Sequence, residues 1–594
     1  MSMSTILSLP EELIIEIMAK GDHKMLLTCQ RVSERSYILC ISSGSHTAQV
    51  CRTLNSIITD SVPLQYIITL AACGMLDGPS PAVYYERTAE RLRRLREHEA
   101  AWRQVAWSDG SMISHMAARE LPTTSSGGVL AFLKQSDGDS GDTEYGDRLF
   151  LLRVPSRLRG IPGESWELND LGEMSNVCID SAQDLLLFQR CVPHTCDWTG
   201  DHTLSHARRF NDFHVRMLSS GKVHPSVHHE GSFDLQIASL DLLTEVPVIC
   251  CDHVAAIVHE HSLSHAAPPT IKGTVIVWNW KTGNQVAIIV RFPPLFGPFS
   301  TVNARFFFQR PLFARIGRDI TFLDQTHILI LASAVDSALK PGQNYELMLL
   351  VYDFDPSVNL FINQIATIPY CFRISLPVRT GIATFRQARI NANTASFSPP
   401  LSSPQGYFHT DPKDRIIALE VTDNNWMQGM EETAELYAPA HTFLTYITAH
   451  PPVAVSTSTS LSGQKPLDVP WDTWGPHGAH LIRAIDQPYI VRRPRVCGMR
   501  VLGASLCNRS VVIADYHPGR LARSNNAGMN RRASLSTSEE ILRPTTGSMC
   551  NTREVPLPRE LQETSESPWM MLCEDALVAF EVRIFFGSTA RVTH

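Results

Sequence analysis

The sequence predicts an α+β chain with two regions, a small helical domain at the amino end and a large all-β domain after it. Three observations predict this. Helical periodicity fills the chain up to about Val105 and then nearly disappears. Beyond that point, short apolar runs alternate with turn residues, as in GGVLAFLKQ, RLFLLRV, GTVIVWNWKTGNQVAIIV, YELMLLVYDFDP and RSVVIADYHPG. Composition agrees: 44% of the 594 residues are hydrophobic and only 19% charged, with 37 prolines and 33 glycines, a mix that suits strands and turns better than a bundle. The length exceeds one ordinary domain.

The helical region begins with LSLPEELIIEIMAK. Ser8 is placed to cap a helix and Pro10 to occupy its first turn, where a missing N–H costs nothing. Glu11 and Glu12 then face the positive end of the helix dipole. Leu13, Ile14, Ile17 and Met18 recur at helical spacing, and Gly21 with Asp22 stops the run. HKMLLTCQRV starts a second helix with Met25, Leu26, Cys29 and Val32 on one face, and CRTLNSIITDS supplies a third through Leu54, Ile57 and Ile58. Helices this short have little core of their own, and such a unit often completes its burial on a partner. Next, Leu64, Tyr66, Ile67 and Leu70 form a helix that Gly74 and Gly78 break. From Glu86 a further helix carries the stripe Ala89, Leu92, Leu95, Glu99 and Trp102, with arginines balanced by glutamates on a solvated face. It reads as a strut to the large domain.

Leu9-Pro10-Glu11-x-Leu13-x-x-Glu16-Ile17, followed by Leu26-Leu27 and Val32, resembles the F-box, the three-helix motif of ubiquitin-ligase substrate receptors. The resemblance implies docking onto a Skp-type adaptor, and through it a cullin scaffold, with Leu9, Pro10, Leu13, Ile17, Leu26 and Val32 as the adaptor contacts. In the family the third helix follows directly on the second. Here CRTLN comes late, after residues 33–50, so that stretch is expected to be an insertion. The alternative is that Tyr37 and Ile38 belong to the third helix themselves. The expected domains are residues 5–62 (F-box), 63–107 (helical linker) and 108–594 (β domain), with flexible loops at 454–466 and 521–553.

Within the β domain a single unit recurs loosely. A strand with a D-x-x-x-apolar core is followed by one ending in alternating aromatics and a polar turn: VWNWKTGN, VYDFDP and IADYHPG. VPVICCDHVAAIVHE and ITFLDQTHILILAS precede the first two. These read as inner strands of propeller blades in the style of WD-type repeats. A β-propeller is expected, with seven blades favoured, and two packed β-sandwiches are the rival. LQYIITLAACGMLDG, FHVRMLSSGKVHP, FDLQIASLDL, WDTWGPHGAHLI, VCGMRVL and CEDALVAF, in this order, resemble mushroom-type fungal F-box proteins. That resemblance implies an architecture and a ligase-receptor role, with no substrate named.

Signals for other chemistry are weak. A net charge of −7 gives no general attraction to nucleic acid or anionic membrane. The fourteen cysteines include no C-x-x-C pair, so thiols buried in strands, such as Cys178 and Cys250, are expected in a cytoplasmic or nuclear protein. No apolar run approaches the length of a bilayer span. His259, His261 and His265, His224, His228 and His229, and His194 between Cys191 and Cys196 lack zinc-site spacing. No nucleophile elbow, P-loop or dinucleotide fingerprint occurs. No metal, cofactor or catalytic residue is expected. Trp471 and Trp474 suit either a recognition surface or a packed corner. Ser534 follows Arg531-Arg532-Ala533, a basic-directed kinase consensus. The leading function is therefore a non-catalytic substrate receptor of an SCF-type ligase. A propeller scaffold that has lost adaptor binding through the insertion is the alternative, and a hydrolase with a central-channel site is a third.

Overall fold

The computed structural model describes residues 9–21, 25, 26, 29, 46–78, 88–104, 111–113, 123–134, 147–192, 209–228, 231–234, 242–244, 247–261, 271–292, 320–334, 346–354, 372–375, 384–392, 407–425, 430–449, 467–483, 495–504, 510–517, 551–556, 569–573, 576–581 and 589–593. Helix α1 (Glu11–Ala19) starts just after Pro10, not around it. The Pro10 carbonyl accepts from the N–H groups of Leu13 (3.0 Å) and Ile14 (3.2 Å). Ser8 lies outside the described residues. Helix α2 (His46–Asp60) begins before Cys51, so the end of the suspected insertion is continuous with the third helix. The local reason is plain: nothing between His46 and Asp60 is a Gly or Pro. Helix α3 (Val62–Cys73) has Ser61 at its N-cap and ends at Gly74, whose φ of +64° is the left-handed conformation glycine accepts. Leu64 and Ile68 of α3 share one core with Ile14, Met18, Leu26, Ile57 and Ile58. The helical core thus runs past residue 62. Strand β1 (Met75–Asp77) and helix α4 (Thr88–Gln104) complete this region. No single described helix is long and apolar enough to cross a membrane.

Among the described residues the rest forms seven antiparallel-built sheets of four or five strands and one two-stranded pair. Strand β2 (Ser111–Ile113) belongs to the last of them. The first sheet runs β3 (Thr124–Ser126), β4 (Val129–Lys134), β5 (Arg148–Arg153), β6 (Glu164–Leu168). The second runs β7 (Met174–Asp180), β8 (Leu185–Val192), β9 (Arg209–Met217), β10 (Ser232–Asp234). In the third, β11 (Leu242–Thr244) and β12 (Val248–Cys250) both pair with β13 (His253–His261), followed by β14 (Ile271–Asn279) and β15 (Gln285–Phe292). The fourth runs β16 (Ile320–Phe322), β17 (His327–Ala334), β18 (Glu346–Asp353), β19 (Phe372–Ser375). The fifth starts with β20 (Thr384–Ala392); β21 (Phe408–Thr410) leaves it to pair with β1, and β22 (Ile416–Asn425) and β23 (Met430–Pro439) resume it. Helix α5 (Ala440–Ala449), strand β24 (Leu467–Val469), which adds in parallel to β19, and helix α6 (Trp471–Gly478) precede its last strand, β25 (His480–Arg483). The sixth runs β26 (Arg495–Cys497), β27 (Arg500–Ala504), β28 (Ser510–Asp515), β29 (Asn551–Pro556). The seventh takes β30 (Trp569–Leu572), β31 (Leu577–Glu581) and β32 (Thr589–Thr593) from the carboxyl side and β2 from the amino side.

One hydrogen bond repeats through six sheets. The residue after the third strand donates its N–H to the carbonyl just before the second: Val154 to Gly128, Leu218 to Asp184, Trp280 to Asp252, Phe354 to Thr326, Ala440 to Arg415 and Tyr516 to Met499, all between 2.8 and 3.0 Å. The aromatic-ended strands read from the sequence are these third strands, and Trp278, Trp280, Tyr352, Phe354 and Tyr516 are buried. Their spacing along the chain is irregular because insertions such as α5 and α6 fall between strands.

Neighbouring sheets share cores. Val129 and Leu151 of the first pack with Ile179 and Phe188 of the second. Leu187 and Val215 of the second meet Val254 and Trp278 of the third, and Ala255 and Val277 of the third meet Ile330 and Tyr352 of the fourth. Leu331 and Val351 meet Ile390 and Leu419 of the fifth, and Ile416 and Tyr437 meet Val501 and Tyr516 of the sixth. Strands β26 and β27 touch β30, and Cys573 and Val578 of the seventh pack on Phe132 and Leu152 of the first.

Two expectations need correction. Helices do occur beyond Val105: α5 buries Phe443 and Ile447, and α6 buries Trp474 against Phe443 and Trp471. WDTWGPHG is therefore a packed corner. The stretch expected to be flexible at 521–553 ends in β29, which starts at Asn551; its remainder, and 454–466, lie outside the described residues.

Candidate functional site

Helix α1 is apolar on two faces. Ile14 and Met18 are buried in the helical core, while Leu13 and Ile17 are 46% and 55% exposed. Pro10, also exposed, precedes Leu13 by three residues, and Ile17 follows by four, so the three make one stripe along the helix. Met25, likewise exposed, adds an apolar side chain whose spacing predicts the inner face. A Cβ on Gly21 would stand 2.1 Å from the Met25 Cε, so the glycine makes room for it. Leaving two aliphatic side chains half in water forgoes about 1 kcal/mol each. A covering partner would recover that.

Of the six residues expected to touch a partner, Pro10, Leu13 and Ile17 lie on this ridge. Leu9 is half-buried and packs against the helical core. Leu26 is fully buried there, so it supports the ridge from beneath and does not present a surface. Val32 lies outside the described residues.

The ridge is tied to the β body through α4. The Asp77 carboxylate accepts from the Tyr66 hydroxyl (2.6 Å) and from Arg91 (2.7 Å), and Arg91 also donates to the Gly78 carbonyl at 3.2 Å. Burial, then the bond to Asp77, pushes the Tyr66 phenol up. β1 pairs with β21, Gly78 donates to the Tyr407 carbonyl at 2.9 Å, and Asp411 donates to the Gly74 carbonyl at 2.9 Å. Arg94 lies over the Tyr407 ring at 4.6 Å. The Arg500 guanidinium sits 4.4 Å over the Trp102 ring, 3.9 Å from Glu99 and 3.6 Å from Asp515. His517 is 3.6 Å from Asp414. On the solvent side, Arg93 and Arg94 hold the exposed Glu90 carboxyl down at about 2. The expected solvated face of this helix is present, but Arg91, Glu99 and Arg500 are interlock residues that no local pattern announces.

The histidine groups resolve differently. His224 is buried edge-on to Trp280 and its Nε2 lies 3.0 Å from the Gln183 carbonyl. His194, Cys196, His229, His265 and Ser534 lie outside the described residues. Among the described residues no three His, Cys, Asp or Glu side chains gather as a metal would require.

A helical unit with an uncovered apolar ridge is thus fastened to a large body of small sheets. Residues 6–48 match the family model described as F-box domain. The match spans the amino-terminal ridge and most of the stretch 33–50. An F-box implies binding to a Skp-type adaptor, through it to a cullin scaffold, and target recognition in general. No curated protein matches the chain.

Proposed function

We propose that this chain is the non-catalytic target-recognition subunit of an SCF-type ubiquitin ligase, of the mushroom-type fungal kind, acting in the cytoplasm or nucleus. Pro10, Leu13 and Ile17 dock the adaptor, with Met25 beside them. The seven sheets form a β-propeller whose ring is completed by β2. The repeated bond after each third strand and the packing of the seventh sheet on the first support that reading. Antiparallel order puts the second-strand starts and third-strand exits at one end of every sheet. Among the described residues, Asp411, just before the second strand of the fifth sheet, and Arg500, at the start of that of the sixth, meet the helical unit at that end. The target is therefore held at the other end. Transfer follows from proximity: the receptor raises the local concentration of a target lysine beside a charged conjugating enzyme.

The observation that carries this is the exposure of Leu13 and Ile17 in a chain whose own β body leaves them uncovered. Co-purification with a Skp-type adaptor tests it. Wild type retains the adaptor, and Leu13→Asp with Ile17→Asp loses at least tenfold in affinity, since two buried carboxylates each cost more than about 1.4 kcal/mol. Equal retention by both proteins would refute the reading. The scaffold alternative predicts no retention by wild type and recovery on deleting residues 33–45.

A further inference from the structure

Glu435 lies in the middle of β23, directly opposite Glu420 on β22. Like charges facing across a strand pair repel, and by strand alternation this pair shares the sheet face of Ala418 and Tyr437, which pack on the sixth sheet. Glu435 is 4% exposed. Its Oε2 accepts from the Tyr437 hydroxyl. Its Oε1 and the Oε2 of Glu420 are both buried with no hydrogen-bond partner. Two ionised carboxylates could only accept, and both oxygens would stay orphaned. A single proton on Glu435 turns one acceptor into a donor and removes one of the two facing charges.

We propose that Glu435 stands in the folded protein as a carboxylic acid opposite Glu420, and that its proton relieves the repulsion across β22 and β23 on the sheet face that packs against the sixth sheet. The neighbours leave that role to Glu435. Burial pushes the Tyr437 hydroxyl well up, so it remains a donor. Burial holds the His480 imidazole down at about 4, where it stays neutral, with Nδ1 2.8 Å from the Tyr516 hydroxyl. From the sixth sheet Tyr516, Met499 and Val501 pack with Ala418 and Tyr437 beside the site; Glu554, in register with Val512, is exposed and bonded by the Ser510 hydroxyl. Arg389 occupies the register position opposite Glu420 on β20, and Glu431 lies further along β23. Burial first, and the charge of Glu420 after it, push Glu435 up to about 8 against the lowering bond from Tyr437. Its ordinary value is 4.5. A raised carboxyl gives stability that is full below the ordinary value and is lost as pH rises through the folded one.

Infrared spectra of the full chain test this directly. Wild type at neutral pH shows a buried carboxylic-acid C=O band that Glu435→Gln lacks and that fades as pH passes about 8. In Glu420→Gln the band fades at lower pH, because the opposing charge is gone. Unfolding midpoints give a second reading: the gap between Glu435→Gln and wild type widens by several degrees from about pH 5 to 8 and is level above. Identical spectra for wild type and Glu435→Gln, or parallel midpoint profiles, would overturn the proposal. An unmoved fade in Glu420→Gln would overturn the part assigned to Glu420.

Discussion

Asp324 shows how much a single turn residue carries in this body. It closes the hairpin from β16 to β17, accepting from the N–H groups of Thr326 (2.9 Å) and His327 (2.8 Å) and lying 2.9 Å from the His327 Nδ1. Its own carbonyl accepts from the Cys250 thiol at 3.4 Å, and the fully buried Arg415 donates to the Phe322 carbonyl beside it. Third, fourth and fifth sheets thus meet at one turn. Burial pushes the Asp324 carboxyl up, but the bonds from His327 and Thr326 outweigh it and leave it below 3.8. Burial pushes the His327 imidazole down, and the bond to Asp324 outweighs that and leaves it above 6.5. Each half has its own sign. The His327 contribution is full below 6.5 and lost as pH rises through its raised folded value; the Asp324 contribution is present above 3.8 and lost as pH falls through its lowered one. Asp324→Asn is expected to cost about 1–2 kcal/mol, with the loss largest between pH 3.8 and 6.5 and shrinking on either side. Denaturant unfolding of wild type and variant across pH checks both the size and the window.

At the level of the element, α4 does the coupling. Its buried face carries Arg91, Leu92, Leu95, His98 and Glu99, so it brings charge as well as apolar area to the joint. Arg500→Ala would strip the cation from the Trp102 ring and from the buried Glu99. We expect a loss of about 2–3 kcal/mol with adaptor binding unchanged. The reason is that α1 packs on α2 and α3, whereas Arg500 engages Trp102 and Glu99 of α4. A fall in binding equal to the fall in stability would show that ridge and joint are not separable. The same contrast explains what can be read from the sequence. The apolar positions Leu13, Ile14, Ile17 and Met18 and the strand runs are legible because helical and alternating periods are written locally. Inner and outer apolar faces of the short helices are not distinguishable by pattern, since both are aliphatic; Leu26, a contact by the F-box resemblance, is buried in the helical core. The Arg500 to Glu99 pair is invisible because its members are joined only by the fold. Helices α5 and α6 escape notice because they interrupt a sheet whose strands dominate the surrounding pattern.

For the whole molecule the decisive feature is where the two ends of the body meet. Six sheets take their principal strands in sequence, whereas the seventh borrows β2, pairing Ser111 with Val592, Met112 with Arg591 and Ile113 with Ala590. In the proposed propeller this is the clasp. Without it β32 becomes an open edge, and the packing of Cys573 and Val578 on Phe132 and Leu152 is no longer held from both sides. Because β2 follows α4 closely, the clasp also anchors the helical unit from a second point. Deleting residues 582–594 removes β32 and leaves β2 unpaired. The expected result is loss of cooperative unfolding, since the stability of a whole fold, about 5–15 kcal/mol, rests on every seam closing at once. Moving residues 108–113 behind the carboxyl end through a short glycine linker keeps the β32–β2 pairing but cuts the tie to α4. That rearranged chain should unfold cooperatively, with a midpoint near that of wild type. If the truncated chain unfolds with an unchanged midpoint and slope, the seven sheets are independent units and the ring carries none of the stability assigned to it.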